Sequence, residues 1–368
     1  KKQEAWEALF TSLIEAGFTI TATWPVKTES EHSLHQAKKN AAQSTVILVA
    51  RKRPESAETG WFDQEMKEEI HRVARGAAAR LQAEGLNPVD PLVGSFGPAM
   101  EVYSRYKEVK TDTGEKIGVD KAIDEASQAV AAYRIELLAE KGLDGVEAEG
   151  KFYLLCWSVL QAAEFRFNEA MLLGKAVGMD VGTLIAAGLV TKSSDKINIV
   201  PAKERRRSKK LDPDEVEQTL FGPTVKGPQK KTRKADVLKV HPSDPRFRTT
   251  LDGCHALAMR YLESEGEKSG IGAAKQLAAQ QQWKGDSAVA RLMEALLKAA
   301  PEGVRFPKKK GTAAVQYPEF SAWHSMLKPV FGIDPPSWEE ELPPLELGLT
   351  VDEEADEDAD ESEEQDAE

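Results

Sequence analysis

The chain contains 368 residues, of which 41% are hydrophobic and 30% are charged, so it is long enough for two or three domains with sizeable cores. It has no apolar run of membrane-spanning length and no signal-peptide pattern, and its two cysteines and six scattered histidines provide neither a disulfide framework nor a metal site. The net charge of −12 resides in residues 352–368, which contain twelve Asp or Glu and no Lys or Arg. We therefore expect a soluble, cytoplasmic protein without a membrane partner.

The first predicted elements are the end of a helix and two strands. Gly17 stands where a helix commonly ends at a residue with positive φ. Residues 18–25 are rich in Thr, Ile, Phe and Trp, and residues 45–50 form an apolar run typical of a strand buried on both faces. A helix and two strands cannot bury a core alone, and the chain begins without an initiator Met. We therefore expect residues 1–54 to close a larger α/β sheet, and the chain to be the C-terminal piece of a longer protein.

A helical extension is predicted over residues 55–150. Residues 63–84 form an amphipathic helix, in which the apolar positions at helical spacing are Met66, Ile70, Val73, Ala77 and Leu81. Residues 97–106 begin another helix, and residues 107–119 suggest a strand–turn–strand excursion. Asp120 is expected to cap a long helix over residues 120–141.

Residues 151–202 are predicted to form a winged-helix-like module. Residues 152–163 are apolar nearly all round, as in the central helix of a bundle. Asn168 and Asp180 are expected to cap two short helices, and residues 191–200 alternate around a turn, as a two-stranded wing does. The second short helix is poor in side chains that reach base edges, so a module that only packs is an equally open alternative.

A basic linker is predicted over residues 203–245. Residues 203–239 contain twelve Lys or Arg against six acidic residues, and Pro and Gly interrupt them repeatedly. A clustered, mobile basic run suits attraction to phosphate, whereas a plain interdomain linker needs no partner. The candidate DNA-phosphate contacts, including two on the predicted wing, are Lys192, Lys196, Arg205, Arg206, Arg207, Lys209 and Lys210.

The C-terminal part is predicted to contain a small helical domain over residues 246–350. Three helices are expected at residues 252–265, 272–282 and 287–299, followed by a docking helix with Phe320, Trp323, Leu327, Val330 and Phe331. Residues 351–368 have almost no apolar content, which predicts a disordered acidic tail. This tail is either a solubilising end or a phosphate mimic that competes with DNA for the basic run.

Four segments carry a resemblance to a known family. Residues 13–29 read Leu-Ile-Glu-Ala-Gly-Phe-Thr-Ile-Thr-Ala-Thr-Trp-Pro-Val-Lys-Thr-Glu, and residues 42–54 read Ala-Gln-Ser-Thr-Val-Ile-Leu-Val-Ala-Arg-Lys-Arg-Pro. Residues 93–106 (Val-Gly-Ser-Phe-Gly-Pro-Ala-Met-Glu-Val-Tyr-Ser-Arg-Tyr) and 151–157 (Lys-Phe-Tyr-Leu-Leu-Cys-Trp) continue the pattern. Together they resemble the end of the catalytic domain and the helical extension of the zinc-ribbon-containing adenine-specific DNA methyltransferases.

The resemblance implies a C-terminal fragment of a DNA adenine methyltransferase that uses S-adenosylmethionine. Its partners would be DNA and other proteins of a restriction-modification or phage-defence locus. The predicted strand pair would be the hairpin that closes a Rossmann-like methyltransferase sheet, with its connecting loop near the pocket for a flipped adenine. Residues of this loop become candidates for the base pocket: Trp24, Pro25, Thr28 and Glu29. A core position for Trp24 is the alternative.

The family's cofactor loop, zinc-ribbon cysteines and catalytic Asp-Pro-Pro-Tyr motif would all lie upstream of this chain. Asp334-Pro335-Pro336-Ser337 imitates the catalytic motif, but it has Ser where an aromatic ring stacks the extruded base, so a turn is expected there. We therefore expect no catalytic residue and no bound cofactor in this chain, and no activity from it alone. The alternative function is a separate, non-catalytic helical DNA-binding or specificity subunit.

Overall fold

The computed structural model of the chain describes residues 2–27, 44–84, 94–208, 216–219, 222–225, 239–240, 249–305 and 316–338. Residues up to Pro336 form one unit, in which helices predominate. Among the described residues, no sheet has more than three strands. The prediction of a mainly helical chain with limited β structure is therefore confirmed at this level.

A helix and a two-stranded antiparallel sheet form the N-terminal part. Their bounds are Lys2–Glu15 for helix α1, Phe18–Lys27 for strand β1 and Ser44–Lys52 for strand β2. Gly17 has a φ of +83°, so the predicted helix end is confirmed. The expectation that the second strand is buried on both faces is wrong, because the Ile47 side chain is 51% exposed. In the part of the chain that the structure describes, this strand pairs on one side only, and no second layer covers Ile47.

The sheet rests on the next helical layer of the molecule. That layer comprises strand β3 (Thr59–Trp61), helix α2 (Gln64–Ala83), helix α3 (Phe96–Tyr103), strand β4 (Glu108–Lys110) and helix α4 (Val119–Leu138). Helix α3 approaches β1 closely: a Cβ atom on Gly97 would lie 2.0 Å from the Thr23 hydroxyl oxygen. The backbone N–H of Ile20 donates to the Ser104 hydroxyl at 2.8 Å, which fixes the strand on the end of this helix.

The predicted helix starts in this layer are partly right. The Asp63 carboxylate accepts a hydrogen bond from the Met66 N–H at 3.0 Å and caps α2, so the predicted start of this helix is confirmed. The predicted Asp120 cap is wrong, because Gly118 occupies the N-cap of α4 and Asp120 lies inside the first turn. A carboxylate there still faces the positive end of the helix dipole.

The central apolar helix consists of two parts. Helix α5 (Ala148–Leu155) continues into a π-helical turn, Cys156–Leu160, whose side chains are all buried. The predicted continuation to residue 163 is wrong, because Gln161 adopts a left-handed conformation with a φ of +49°. The helix therefore stops one turn early, and the chain is redirected into the next strand.

Five short elements follow and lead to the C-terminal helices. They are strand β5 (Glu164–Arg166), helix α6 (Phe167–Ala176), helix α7 (Val181–Ala186), strand β6 (Val190–Ser193) and strand β7 (Lys196–Ile199). A 3₁₀ turn at Ala202–Glu204 comes next. Within the predicted linker, four short strands form two antiparallel pairs: β8 (Arg207–Ser208) with β11 (Lys239–Val240), and β9 (Val216–Thr219) with β10 (Gly222–Val225).

The three predicted helices and the docking helix are present in the predicted order with shifted ends, and the described residues contain one further short helix between them. They are α8 (Thr250–Leu262), α9 (Glu267–Gln280), α10 (Ala288–Ala299), the short α11 (Glu302–Arg305) and α12 (Glu319–Phe331). The Ser287 hydroxyl accepts from the Ala290 N–H at 3.3 Å and caps α10. Phe320, Trp323 and Leu327 are fully buried, which confirms that α12 docks onto these helices. Residues 339–368, including the predicted acidic tail, lie outside the described part.

Candidate nucleic-acid interface

Residues 164–199 form a compact strand–helix–helix–hairpin module. Strands β6 and β7 pair antiparallel, with Val190 opposite Ile199, and Ser194 at the turn has a φ of +58°. The predicted hairpin is therefore confirmed. Strand β5 pairs with the other edge of β7, so the sheet order is β5–β7–β6, and both short helices lie between β5 and β6 in sequence.

Local sequence signals position the second short helix of this module. The Asp180 carboxylate accepts from the Thr183 N–H at 2.8 Å and from the Thr183 hydroxyl at 3.0 Å, which confirms the predicted cap. These hydrogen bonds, led by the one from the backbone of Thr183, lower the pKa of Asp180. Gly178 makes the preceding turn with a φ of +78°. The helix is therefore anchored by its own first turn.

The predicted Asn168 cap of the first short helix is wrong. Strand β5 extends to Arg166, so α6 begins directly at Phe167 and Asn168 is already inside it. The Glu169 carboxylate accepts from the Arg166 N–H at 2.7 Å and satisfies this backbone group at the helix start. The strand thus decides where the helix begins.

Helix α7 has no charged or amide side chains. Its sequence, Val-Gly-Thr-Leu-Ile-Ala, contains no Lys, Arg, Asn or Gln. Ile185 is 40% exposed, and the Thr183 hydroxyl is engaged by Asp180. Because base edges are read mainly by Arg, Lys, Asn and Gln side chains, this helix has little to offer a major groove.

The two predicted wing contacts are exposed but not free of local interactions. The Lys192 ammonium lies 4.1 Å from the centre of the Phe167 ring, in a cation–π contact. The Lys196 ammonium lies 2.6 Å from the Glu164 carboxylate, and this hydrogen bond raises the pKa of Lys196. Exposed pairs of this kind contribute little to stability, so both lysines can exchange their partner for a phosphate.

Arg205, in contrast, is a core residue, and its prediction as a phosphate contact is wrong. Its side chain is 0% exposed. One guanidinium nitrogen, Nη2, lies 2.9 Å from an Asp252 carboxylate oxygen and donates to the Ala187 carbonyl at 3.1 Å. The other, Nη1, lies 2.9 Å from Nδ1 of His255. A guanidinium held this way cannot reach a ligand in solvent.

The next residue, Arg206, stays at the surface beside the module. Its guanidinium donates to the Arg205 carbonyl at 2.6 Å and to the Lys203 carbonyl at 3.3 Å. Its backbone presses on the turn after α7, since a Cβ atom on Gly188 would lie 2.3 Å from the Arg206 carbonyl oxygen. Gly188 also has a φ of +68°, which favours glycine there. The exposed Arg206 therefore lies next to the turn after α7.

The remaining phosphate candidates are described only in part. Arg207 lies in β8, where its backbone pairs with Val240, and nothing is described of its side chain. Lys209 and Lys210 lie outside the described residues. Because Arg205 is buried, the predicted DNA-phosphate contacts with described, exposed side chains are Lys192, Lys196 and Arg206.

The predicted base-pocket residues belong to a different part of the molecule. Trp24 is 62% exposed and lies opposite Ile47 in the hairpin, so the alternative of a core position is wrong. The side chain of Pro25 is not described, and Thr28 and Glu29 lie outside the described residues. The β1–β2 hairpin packs on α3, whereas the β6–β7 hairpin packs on α6 and α7, so different elements hold the two predicted sites.

A buried polar junction beneath the wing was not predicted. It lies where α5, α8, α12 and the segment after β7 meet. Its members are all buried: Tyr153, Arg205, Asp252, His255 and Glu319. Asp252 and Glu319 each lie in the first turn of a helix, where an acidic residue needs no distant partner. The sequence therefore carries no signal that these groups converge.

The comparisons with known proteins give no relative. No protein-family model matches the chain, and neither a curated protein nor a solved structure is significantly similar to it. Within the described ranges, no cluster of three His, Cys, Asp or Glu residues is arranged to hold a metal ion. The helices of the same ranges include none long and apolar enough to cross a lipid bilayer.

Proposed function

We propose that residues 151–202 form a winged-helix-like module that binds DNA through its phosphates. The observation that carries the proposal is the order of elements: a helix, a strand, two short helices and a hairpin, with sheet order β5–β7–β6. Helix, turn, helix and wing in this order are the parts of a winged helix. The exposed cations Lys192, Lys196 and Arg206 lie on or beside its wing.

Phosphate contact is favoured over reading of base edges. Helix α7, which would enter the major groove, has no side chain suited to bidentate base recognition. The basic residues follow the wing instead, and Lys and Arg attract phosphate without regard to sequence. The module would therefore hold and orient DNA while another part of the protein selects the target.

We further propose that the chain is the C-terminal part of a DNA adenine methyltransferase. The resemblance of residues 13–29, 42–54, 93–106 and 151–157 to that family supports this proposal. The antiparallel hairpin of β1 and β2, with Trp24 exposed at its surface, is compatible with a hairpin that closes a larger sheet. The transferred methyl group would come from S-adenosylmethionine.

The turn at Gly97 and Pro98 does not fit a loop that holds S-adenosylmethionine. A cofactor loop needs glycines whose backbone N–H groups are open to the ligand. Here Gly97 is pressed against Thr23, and Pro98 has no N–H to donate. In this proposal, a different part of the enzyme binds the cofactor. The partner proteins of the enzyme would be encoded in the same restriction or defence locus.

Neutralising the basic run is expected to weaken binding to every duplex alike. The variant replaces Arg206, Arg207, Lys209 and Lys210 with Gln. Each lost phosphate contact should flatten the dependence of log affinity on log salt by roughly 0.9, because fewer counterions are released on binding. Fluorescence anisotropy of labelled duplexes of two sequences at two salt concentrations measures both quantities.

A control variant carries four Lys→Gln changes at exposed positions elsewhere in the fold: Lys121, Lys268, Lys275 and Lys284. It removes the same charge and should bind more tightly than the basic-run variant. Equal affinities and salt slopes for the intact chain and the basic-run variant would contradict the phosphate contacts. The basic run would then be a plain linker.

Replacing Trp24 with Ala in the complete enzyme is expected to reduce methyl transfer by about tenfold to a hundredfold, as a lost base-stacking contact does. The melting temperature should stay nearly unchanged, because the ring is already mostly exposed. Trp61→Ala, at a half-exposed Trp on β3, is the matched control and should keep full turnover. Full turnover with Trp24→Ala would remove Trp24 from the base pocket.

A further inference from the structure

The segment after the wing is attached to the C-terminal helices at three points. We call residues 199–206 the strap. The Tyr317 hydroxyl donates to the Ile199 carbonyl at 2.7 Å, and the Ala202 N–H donates to the Glu319 carboxylate at 3.0 Å. Arg205 completes the attachment through Asp252. The position of the strap therefore fixes where the basic residues from Arg206 onward begin relative to the β6–β7 hairpin.

Glu319 is the unusual member of this attachment. Its carboxyl is 1% exposed, although the only strap atom bonded to it is a neutral backbone N–H among the described contacts. The buried guanidinium of Arg205 is held by Asp252 at 2.9 Å. A buried carboxylate that lacks a cation in direct contact is strongly disfavoured relative to its protonated form.

Three titratable groups act on Glu319 or lie beside it in sequence. The Tyr153 hydroxyl approaches it from α5, the Lys203 ammonium acts on it from the strap, and Tyr317 precedes it in sequence. Lys203 is exposed, so its effect is weak. Burial outweighs these interactions and raises the pKa of Glu319 from its ordinary value of 4.5 to about 7.

We propose that Glu319 is a proton-controlled latch: the strap is docked while this carboxyl is protonated and is released as the carboxyl ionises. The protonated carboxyl keeps an oxygen that accepts from Ala202, and it avoids placing a charge in the core. Ionisation favours the open state, because an undocked strap lets water reach the carboxylate. Release of the strap would change the position of Arg206 and the residues after it. An effect of this change on DNA binding rests on the proposed function.

The direction of the pH dependence follows from the two states of the latch. The docked state binds the proton with the raised pKa of about 7, and the open state binds it with the ordinary value of 4.5. Docking is therefore strongest below pH 4.5 and weakens until the pH passes 7. Between pH 5 and pH 8 the open fraction should rise by on the order of a hundredfold.

Hydrogen exchange of the intact chain tests the latch. Peptides that cover the strap are followed by mass spectrometry from pH 5 to pH 8, with correction for the intrinsic exchange rate at each pH. In the wild-type chain, we expect the protection of the strap to fall as the pH rises from 5 and to level off above pH 7. In Glu319→Gln, which keeps an acceptor oxygen but cannot ionise, protection should not change with pH.

Two outcomes would overturn the latch. One is the same pH profile for the wild-type chain and Glu319→Gln. The other is a parallel loss of protection in helix α10, because Glu319 would then act on the whole fold rather than on the strap. DNA affinity measured separately at pH 6 and pH 8 tests the proposed function, so a chain that binds no DNA would leave the exchange result unaffected.

Discussion

Arg205→Met is expected to destabilise the fold by about 3–5 kcal/mol, the cost of breaking a buried ion pair by removal of one partner. The Asp252 carboxylate would keep its buried position but lose the guanidinium that lies 2.9 Å away. The Ala187 carbonyl would lose its hydrogen bond as well. Urea denaturation measures the effect as a lower midpoint with an unchanged slope.

Two further variants make this prediction specific. Arg206→Met, at the neighbouring exposed position, should change stability by no more than about 0.5 kcal/mol. The double variant Arg205→Met/Asp252→Asn should recover part of the lost stability. The change to Asn removes the uncompensated buried charge, and Asn has nearly the same volume as Asp. If Arg205→Met has the same free energy of unfolding as the wild type, the buried ion pair is contradicted. Arg205 would then again be a candidate phosphate contact.

Trp323→Ala is expected to cost about 3–5 kcal/mol, as other buried aromatic truncations do. Trp323 is fully buried, and its indole N–H donates to the Cys254 carbonyl at 2.7 Å. Its ring stacks on His255 at 5.6 Å and meets Phe320 edge-on at 5.1 Å. The loss would separate α12 from α8, and thermal unfolding followed by circular dichroism should show it as a large drop in melting temperature.

Trp323→Phe serves as the graded control for this prediction. It keeps most of the apolar area but removes the donor to Cys254, so the unsatisfied carbonyl should cost about 1–3 kcal/mol. A melting temperature of Trp323→Ala equal to that of the wild type would contradict the described docking of α12. An effect of Trp323→Phe as large as that of Trp323→Ala would assign most of the energy to the hydrogen bond.

The buried junction bears on how the chain is organised. The sequence suggests a boundary at residue 202, a linker over 203–245 and a small domain from 246. Tyr317 and Phe320 of the C-terminal part both contact Trp157 edge-on, and Arg205 reaches Asp252. The predicted linker would therefore begin after Arg205 at the earliest. The division into domains otherwise stays a prediction.

Local signals in the sequence determined many of the elements and their ends. Asp180 caps its helix as predicted, and Gly17 ends the first helix as predicted. The wing hairpin turns at the predicted place. These predictions hold because a cap or a turn is decided by hydrogen bonds among residues three or four positions apart, which the sequence displays directly.

Failures at helix ends had a nearby cause that composition does not reveal. Asn168 has the right chemistry for a cap, but strand β5 continues to Arg166 and moves the helix start. Gln161 adopts a left-handed conformation and ends the central helix early. In both cases the competing element, rather than the residue's own propensity, set the boundary.

Only the tertiary structure decided which charged and apolar side chains are buried. Arg205 and Arg206 are chemically identical in sequence, yet one is paired with Asp252 in the core and the other is exposed. Ile47 lies in an apolar run but is half exposed, because the described chain places no layer over it. Glu319 meets Ala202 across 117 positions of sequence. Burial depends on such distant partners, and no pattern within one element displays them.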